Sequence, residues 1–338
     1  MAKKIVGTDL AKSLAQMIVA DAKEKYGIGS AATEETTCGS DVTDWLSTGS
    51  KTLDWVCGKG LPMGKYIELF GRESTGKSTL AYLFMSQIQK RGGLVLLLDT
   101  EGSYDSNRAR EIGLKTDEIV FAQLDTMEDC FDFIYSSMEK IREEDKTIPV
   151  GIMWDSVAGT PTKTEIEGEF GQAAFAPAAR IISSSFRKLK KLDKQNTLMV
   201  FINQVRQKMN PMGIPTWVTY GGEALKFYTA TRIQLTFMEQ VKAMVGGKEQ
   251  AIGVQVKVET KKNKVAPPFR QCELVIDFAK GIDTLSTDLL TAVNRKVIER
   301  NGAFYSLGEN KWRGYDAMET YYREHPEELQ KILEGMTW

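Results

Sequence analysis

Eight consecutive residues, Gly71-Arg72-Glu73-Ser74-Thr75-Gly76-Lys77-Ser78, carry the most specific chemistry in this 338-residue chain. Two glycines with four residues between them let backbone N–H groups close around a phosphate. Lys77 then reaches the β- and γ-phosphates, and Ser78 offers its hydroxyl to Mg²⁺. Thr79 follows in the helical run STLAYLFMSQIQK, whose N-terminal dipole favours the same anion. The apolar run YIELF precedes the motif, giving the strand, loop and helix context that a phosphate-binding loop requires. The expected cofactors are ATP and Mg²⁺, with residues Gly71 to Thr79 around the phosphates.

Carboxylates at the ends of other apolar runs complete this chemistry. Asp155 closes VGIMWD, at the C-terminal edge of a strand, where ligands of open α/β sheets bind. With Ser78 it forms the candidate metal pair. Glu101 lies just past the next strand, in LLLDTEG, where a carboxylate polarises a water for in-line attack on a γ-phosphate. Asp99 competes for that role, but it is closer to the strand interior and would orient the loop instead. Other chemistries are poorly served. The only histidine, His325, stands beside Pro326 near the C-terminus, which disfavours a Ser/His/Asp hydrolase. Cys38, Cys57, Cys130 and Cys272 show no CxxC pair or zinc spacing and read as reduced structural thiols.

These residues need a scaffold, and the apolar pattern supplies one. YIELF (66–70), LVLLLD (94–99), VGIMWD (150–155) and TLMVFINQ (197–204) are nearly continuous apolar runs, as in strands buried on both faces of a parallel sheet. Ser78–Lys90 and Asp129–Arg142 are long enough for crossover helices. RIQLTF (232–237), VQVKVET (254–260) and CELVIDF (272–278) alternate apolar with polar residues and fit an antiparallel extension. The expected class is α/β with a doubly wound sheet. Residues Thr8–Tyr26 carry Leu10, Leu14, Met17 and Ile18 at helical spacing, and a small polar linker follows over Ser30–Asp41. After Gly281 come mixed helical segments and a hairpin around AFYSLGENKW. The predicted division is an N-terminal helix and linker (1–36), a core (37–281) and a C-terminal domain (282–338). A net charge of −1 gives no global basic field, so any nucleic-acid site must be local. No stretch approaches the roughly 18 apolar residues of a membrane span, and the N-terminus lacks a signal core, so a cytoplasmic protein with no membrane partner is expected.

Beyond GRESTGKST, the stretches STGSKTLDWVCGKGLPMGKYIELFG, DSVAGTPTKTEIEGE, NTLMVFINQVRQKM, YGGEALKFYTATR and KKNKVAPPF resemble the bacterial RecA family in order, spacing and context. The likeness runs from about Trp45 to Gly281. It implies a RecA-type P-loop NTPase core with a mostly parallel central sheet, an antiparallel extension, an N-terminal helix and a small α/β C-terminal domain. It also implies a DNA-dependent ATPase that forms helical filaments on single-stranded DNA and exchanges strands with homologous double-stranded DNA.

By the same resemblance, two mobile loops bind single-stranded DNA, one around Glu165 to Ala179 and one from Val205 to about Gly222. Both are rich in Gly, Pro and polar residues, and the second is long for an ordinary connector. Arg180, Arg206 and Lys208 would contact phosphates, Gly221 and Gly222 would offer backbone amides, and Phe175 and Met209 would insert between base triplets. Gln204 would sense the γ-phosphate and order the second loop. Lys262 and Lys264, in KKNK, would reach the neighbouring subunit's ATP in trans, like an arginine finger. The N-terminal helix would pack on the adjacent subunit, giving a head-to-tail helical filament.

Several positions depart from the bacterial pattern. DTEGSYDSNRAR reads more like archaeal and eukaryotic recombinases, and Arg108 stands where bacterial members usually place a tyrosine on adenine. A guanidinium stacks on a base as well, so Arg108 stays a nucleotide-binding candidate. Trp217 and Phe175 also differ from the usual loop residues, and Trp217 would add a stacking surface for a base. A hexameric helicase or circadian-type ATPase shares the core fold, but gives no reason for TEIEGE and YGGEALKF. A non-catalytic regulator gives none for Lys77, Glu101 and Asp155 together. Loading or regulatory proteins would dock on surfaces that carry no local motif.

Overall fold

Continuous apolar runs need cover on both faces, and they find it by lining up beside one another. A computed structural model describes residues 2–26, 42–168, 177–192, 195–209, 213 and 215–336. In it the predicted strands occur as Tyr66–Gly71, Leu94–Asp99, Val150–Asp155 and Thr197–Met209, within one ten-stranded sheet. Every residue of Tyr66–Gly71 and Val150–Asp155 is buried. The parallel part runs in the order Thr231–Val245, Tyr66–Gly71, Thr197–Met209, Val150–Asp155, Leu94–Asp99, Ile119–Ala122. Beyond Thr231–Val245 the sheet continues antiparallel through Lys248–Asn263, Gln271–Asp277 and Gly281–Asp283. The short edge strand Ile119–Ala122 has no counterpart among the predicted strands. Its four residues, with Val120 and Phe121 each 40% exposed, lack the long apolar run that marks the central strands.

Strand side chains alternate between two cores. On one face Ile67, Leu69, Val95 and Leu97 pack with Leu80, Phe84 and Ile88 of the helix Lys77–Lys90. On the other, Leu96, Ile152, Trp154 and Phe201 meet Phe131 and Ile134 of Met127–Glu144 and Ile182 and Phe186 of Pro177–Leu189. Each such fully buried side chain contributes about 1.5–3 kcal/mol.

The second predicted loop is largely sheet. Thr197–Met209 continues five residues past Gln204 and pairs antiparallel with Pro215–Thr219, placing Gln207 opposite Trp217. Thr216, Trp217, Val218 and Thr219 are all good strand formers, and their pairing satisfies the backbone of the emerging arm. A short helix, Lys163–Glu167, runs into the start of the first predicted loop and is closed by a capping box between Thr162 and Glu165. Phe175 lies outside the described residues, as do the expected linker, residues 30–41, and Cys38.

The chain divides into two units, Met1–Thr43 and Asp44–Trp338. In the first, the helix Ala2–Tyr26 starts six residues before the predicted Thr8, and its Leu14, Met17 and Ile18 are exposed. In the second, the region after Gly281 gathers Leu289, Tyr305, Trp312, Met318 and Tyr322 into their own cluster. The predicted hairpin there is two strands of a three-stranded sheet, Glu299–Asn301, Phe304–Leu307 and Asn310–Arg313. Buried Asp288 ties this region to the core by accepting from Ser50 Oγ at 2.7 Å and Thr52 N at 3.1 Å. No helix among the described residues is long and apolar enough to cross a membrane.

Within the sheet, Glu68 is fully buried and accepts from Asn203 Nδ2 at 2.9 Å and from Arg232 Nε. The Arg232 guanidinium also lies 4.4 Å from the Phe70 ring centroid. Removing one member of a buried ion pair leaves an uncompensated charge. Arg232→Met is therefore expected to destabilise the chain by about 3–5 kcal/mol, read from urea unfolding. The paired change Glu68→Leu with Arg232→Met is expected to recover most of that loss.

Candidate functional site

Parallel register brings the predicted chemistry to one edge of the sheet. Gly71 pairs with Gln204, and Asp99 pairs with Asp155, so the C-terminal ends of four strands form a single row. The phosphate loop leaves this row at Gly71. A Cβ there would stand 2.3 Å from Leu235 O, and one at Gly76 would meet Ile276 Cδ1 at 2.1 Å with a backbone φ of +78°. Both motif positions therefore require glycine for packing as well as for a ligand. Thr75 Oγ1 and Lys77 Nζ donate to Arg72 O at 2.9 and 2.7 Å, which folds the loop into a cradle. Lys77 is nearly buried, and that burial pushes its ammonium pKa down against the pull of Asp155, Glu101 and Glu73.

Ser78 Oγ donates to Asp155 Oδ2 at 2.6 Å, joining the two candidate metal ligands. Burial pushes the Asp155 carboxyl up to about 6, with Glu101 and Asp99 adding to the rise and the Ser78 bond and Lys77 opposing it. Glu101 Oε1 accepts from Gln204 Nε2 at 2.8 Å and from Ser156 Oγ. Asp99 instead accepts backbone N–H groups from Glu101, Ser103 and Tyr104 at 3.1, 3.2 and 2.9 Å, and so holds the loop that carries Glu101.

A cavity of about 300 Å³ opens beside Lys77, Ser78 and Thr79, with Arg108, Ile276 and Phe278 on its walls. Arg108 is fixed there, donating from Nη2 to Asp277 O at 3.1 Å and from Nη1 to Phe278 O. Ser156 and Phe278 lie outside the motif spacings. One is visible only as the neighbour of Asp155, and the other arrives from the antiparallel extension. A backbone cradle, a buried ammonium, a hydroxyl–carboxylate pair and a flanking cavity together suit a nucleoside triphosphate with Mg²⁺.

The hairpin that leaves this edge at Gln204 carries several of the predicted DNA contacts. Arg206 and Lys208 share one face, and Val205, Gln207 and Met209 share the other. Arg206 sits 5.1 Å from the Tyr220 ring centroid, and Met209 is 65% exposed. Gly221 and Gly222 open the helix Gly222–Tyr228, with φ of +81° and +66°. Arg180 lies on the neighbouring helix and lines a groove with Arg187 and Phe227.

Lys262 and Lys264 do not join the site within the chain. Lys262 is in register with Arg232, at the start of a strand whose later residue Leu235 pairs with Gly71, so it lies toward the opposite edge of the sheet. Its Nζ donates to the carbonyls of Lys226, Phe227 and Thr229, the last two at 3.2 and 2.8 Å. Burial, with Lys264 and Arg232 nearby, pushes Lys262 down to about 8. Lys264 Nζ donates to Phe227 O at 3.3 Å.

Comparison with known proteins gives a consistent pattern. The profile of the RecA N-terminal domain matches residues 12–283. Protein RecA of Thermus aquaticus is 39% identical over 275 residues, covering 81% of this chain and 78% of the relative. Protein RecA of Syntrophus aciditrophicus is 38% identical over 277 residues, covering 81% and 78%. DNA repair protein recA homolog 3, mitochondrial, of Arabidopsis thaliana is 36% identical over 281 residues, 82% of this chain but 63% of that longer protein.

The raised Asp155 pKa has a stability consequence. An acid with a folded pKa of about 6 and an ordinary value of 3.8 holds more protons folded than unfolded between those pH values. The stability it contributes is complete below pH 3.8 and is lost as pH rises through about 6. Without nucleotide, Asp155→Asn is therefore expected to be more stable than the parent at pH 8, by at most about 3 kcal/mol. That advantage should vanish in melting curves taken near pH 4. Equal melting temperatures at pH 8 would show that the carboxylate carries no such burial cost.

Proposed function

The chain belongs to the RecA family, and on that premise we propose that it is an ATP-dependent DNA recombinase. It assembles on single-stranded DNA as a helical filament and exchanges strands with homologous duplex. The observation that carries this reading is the bond from Gln204 to Glu101. One amide joins the candidate hydrolytic carboxylate to the root of the hairpin bearing Arg206, Lys208 and Met209.

In this reading the backbone from Gly71 to Thr79 and the Lys77 ammonium hold the phosphates, and Ser78 and Asp155 hold Mg²⁺. The cation supplies charge neutralisation on the phosphate oxygens. Glu101 orients and deprotonates the attacking water, and Gln204 exchanges its bond to Glu101 for one to the γ-phosphate, moving the hairpin root. Arg108 and Phe278 flank the base. Arg206 and Lys208 pair with DNA phosphates, Arg180 adds a third cation, and the amides of Gly221 and Gly222 approach the backbone. Phe175 and Met209 separate base triplets.

Lys262 and Lys264 act on the neighbouring copy's ATP. Their place away from their own phosphate loop supports delivery in trans. Exposed Leu14, Met17 and Ile18 support packing of the N-terminal helix on an adjacent subunit. Residues 1–36 thus serve assembly, 37–281 form the ATPase and DNA-binding core, and 282–338 form an accessory domain, in a cytoplasmic protein.

Electron microscopy with single-stranded DNA and a slowly hydrolysed ATP analogue is expected to show helical filaments, and the same preparation should exchange strands with homologous duplex. Rings, or filaments without exchange, would oppose the reading. Lys77→Ala is expected to abolish nucleotide-dependent DNA binding. Glu101→Gln should keep filaments and lower ATP turnover by about 10²-fold or more; normal turnover would remove Glu101 as the base. Arg206→Glu should weaken DNA binding and flatten its salt dependence, as expected when a phosphate contact is lost.

A further inference from the structure

The DNA-side hairpin touches the phosphate loop at a second place. Trp217 stands opposite Gln207 in the hairpin, on the face shared by Val205 and Met209 and away from Arg206 and Lys208. That face turns toward the phosphate loop. The Arg72 guanidinium carbon lies 5.0 Å from the Trp217 ring centroid. Between hairpin and loop is a cavity of about 460 Å³, lined by Gly71, Arg72, Glu73, Gln204, Trp217 and Phe237. The indole is 51% exposed, so much of its surface is free of packing and the Arg72 contact can bias where it rests.

Arg72 is held in turn through its backbone. Its carbonyl accepts from Lys77 Nζ at 2.7 Å and from Thr75 Oγ1 at 2.9 Å. A phosphate entering the cradle offers the Lys77 ammonium an anionic acceptor, whose charge-assisted bonds are stronger than the one to the neutral Arg72 carbonyl, and so draws Nζ toward itself. Drawing Lys77 Nζ from Arg72 O releases one of the two side-chain bonds that fix the Arg72 peptide, and the guanidinium over Trp217 moves with it.

We propose that Arg72 and Trp217 form a latch through which occupancy of the phosphate loop sets the angle of the hairpin, as a second coupling element beside Gln204. It rests on the reading that the loop binds nucleotide and the hairpin binds DNA. A strand attached at one residue is free to pivot there. Gln204 fixes the root, and Trp217, opposite the residue three positions farther out, fixes the direction. The cavity between the two attachments gives the hairpin room to change that direction. Trp217 is a positioning residue in this scheme, acting through Arg72 and the strand it rides on.

The test uses the full chain. Trp217 emission, isolated as the difference between a chain and its Trp217→Phe counterpart, is titrated with a slowly hydrolysed ATP analogue in the absence of DNA. The emission is expected to change as the analogue saturates. Arg72→Ala should remove the change, and Arg72→Lys, which keeps a cation, should restore part of it. At saturating analogue, Trp217→Ala should reduce the nucleotide-dependent gain in single-stranded DNA affinity by about two- to fivefold, the strength of an exposed cation–π contact. Trp217→Phe should lose less. The Arg72→Ala, Trp217→Ala double variant should lose no more than the larger single effect, as residues acting in one contact do.

Trp217 emission that ignores a bound analogue, or single losses that simply add, would overturn the latch. Emission that responds through Arg72 in a chain that binds no single-stranded DNA would uphold the latch and overturn the DNA reading instead.

Discussion

The parallel pairing of Tyr66–Gly71 with Thr197–Met209, and of Leu94–Asp99 with Val150–Asp155, is the constraint on which the rest of the site depends. It aligns strand ends far apart in sequence to within bonding distance. Ser78 can then reach Asp155, and Gln204 can reach Glu101. Strands covered on both faces leave little place for polar side chains except their ends, so burying the runs and collecting the chemistry have one cause. Glu68 lies inside the sheet even so, and is tolerated because Arg232 and Asn203 satisfy it in place.

That arrangement loads the site with charge in a half-dry setting. Asp155 is pushed up by burial and by its acidic neighbours, while burial pushes Lys77 down. Ser78 Oγ holds the one and the Arg72 carbonyl the other. A bound phosphate and cation would replace both at once.

Gln204 lies at the last shared position of the parallel pairing, and the chain continues from it as a two-stranded arm. A small shift at the root would become a larger one at Lys208 and Met209, because pairing with Pro215–Thr219 stiffens the arm along its length. The RecA-family relatives align with 81–82% of this chain at 36–39% identity, and Arg108 and Trp217 are positions that read, from the sequence, as departures from the family's pattern. Arg108, however, keeps a wall of the same cavity as Phe278.

Some of this could be read without coordinates. The phosphate loop, Asp155 and Glu101 were legible because each is a local signal: a glycine spacing or a carboxylate at the end of an apolar run. The central strands and the helix Lys77–Lys90 were legible for the same reason, since burial on both faces leaves an uninterrupted apolar stretch. What followed from non-local pairing was not. The edge strand Ile119–Ala122 is too short and exposed to stand out. The continuation of Thr197–Met209 beyond Gln204 depends on a partner strand that supplies its backbone bonds.

The sequence by itself determined a triphosphate-binding loop on an α/β sheet and the family to which the core belongs. Only the tertiary structure decided that Gln204 bonds Glu101, that Lys262 and Lys264 face away from their own phosphate loop, and that Arg72 rests on Trp217. The physical reason is that a motif is a property of neighbours along the chain. Register, which brings Glu101 beside a residue 103 positions away, is fixed by burying the whole sheet at once.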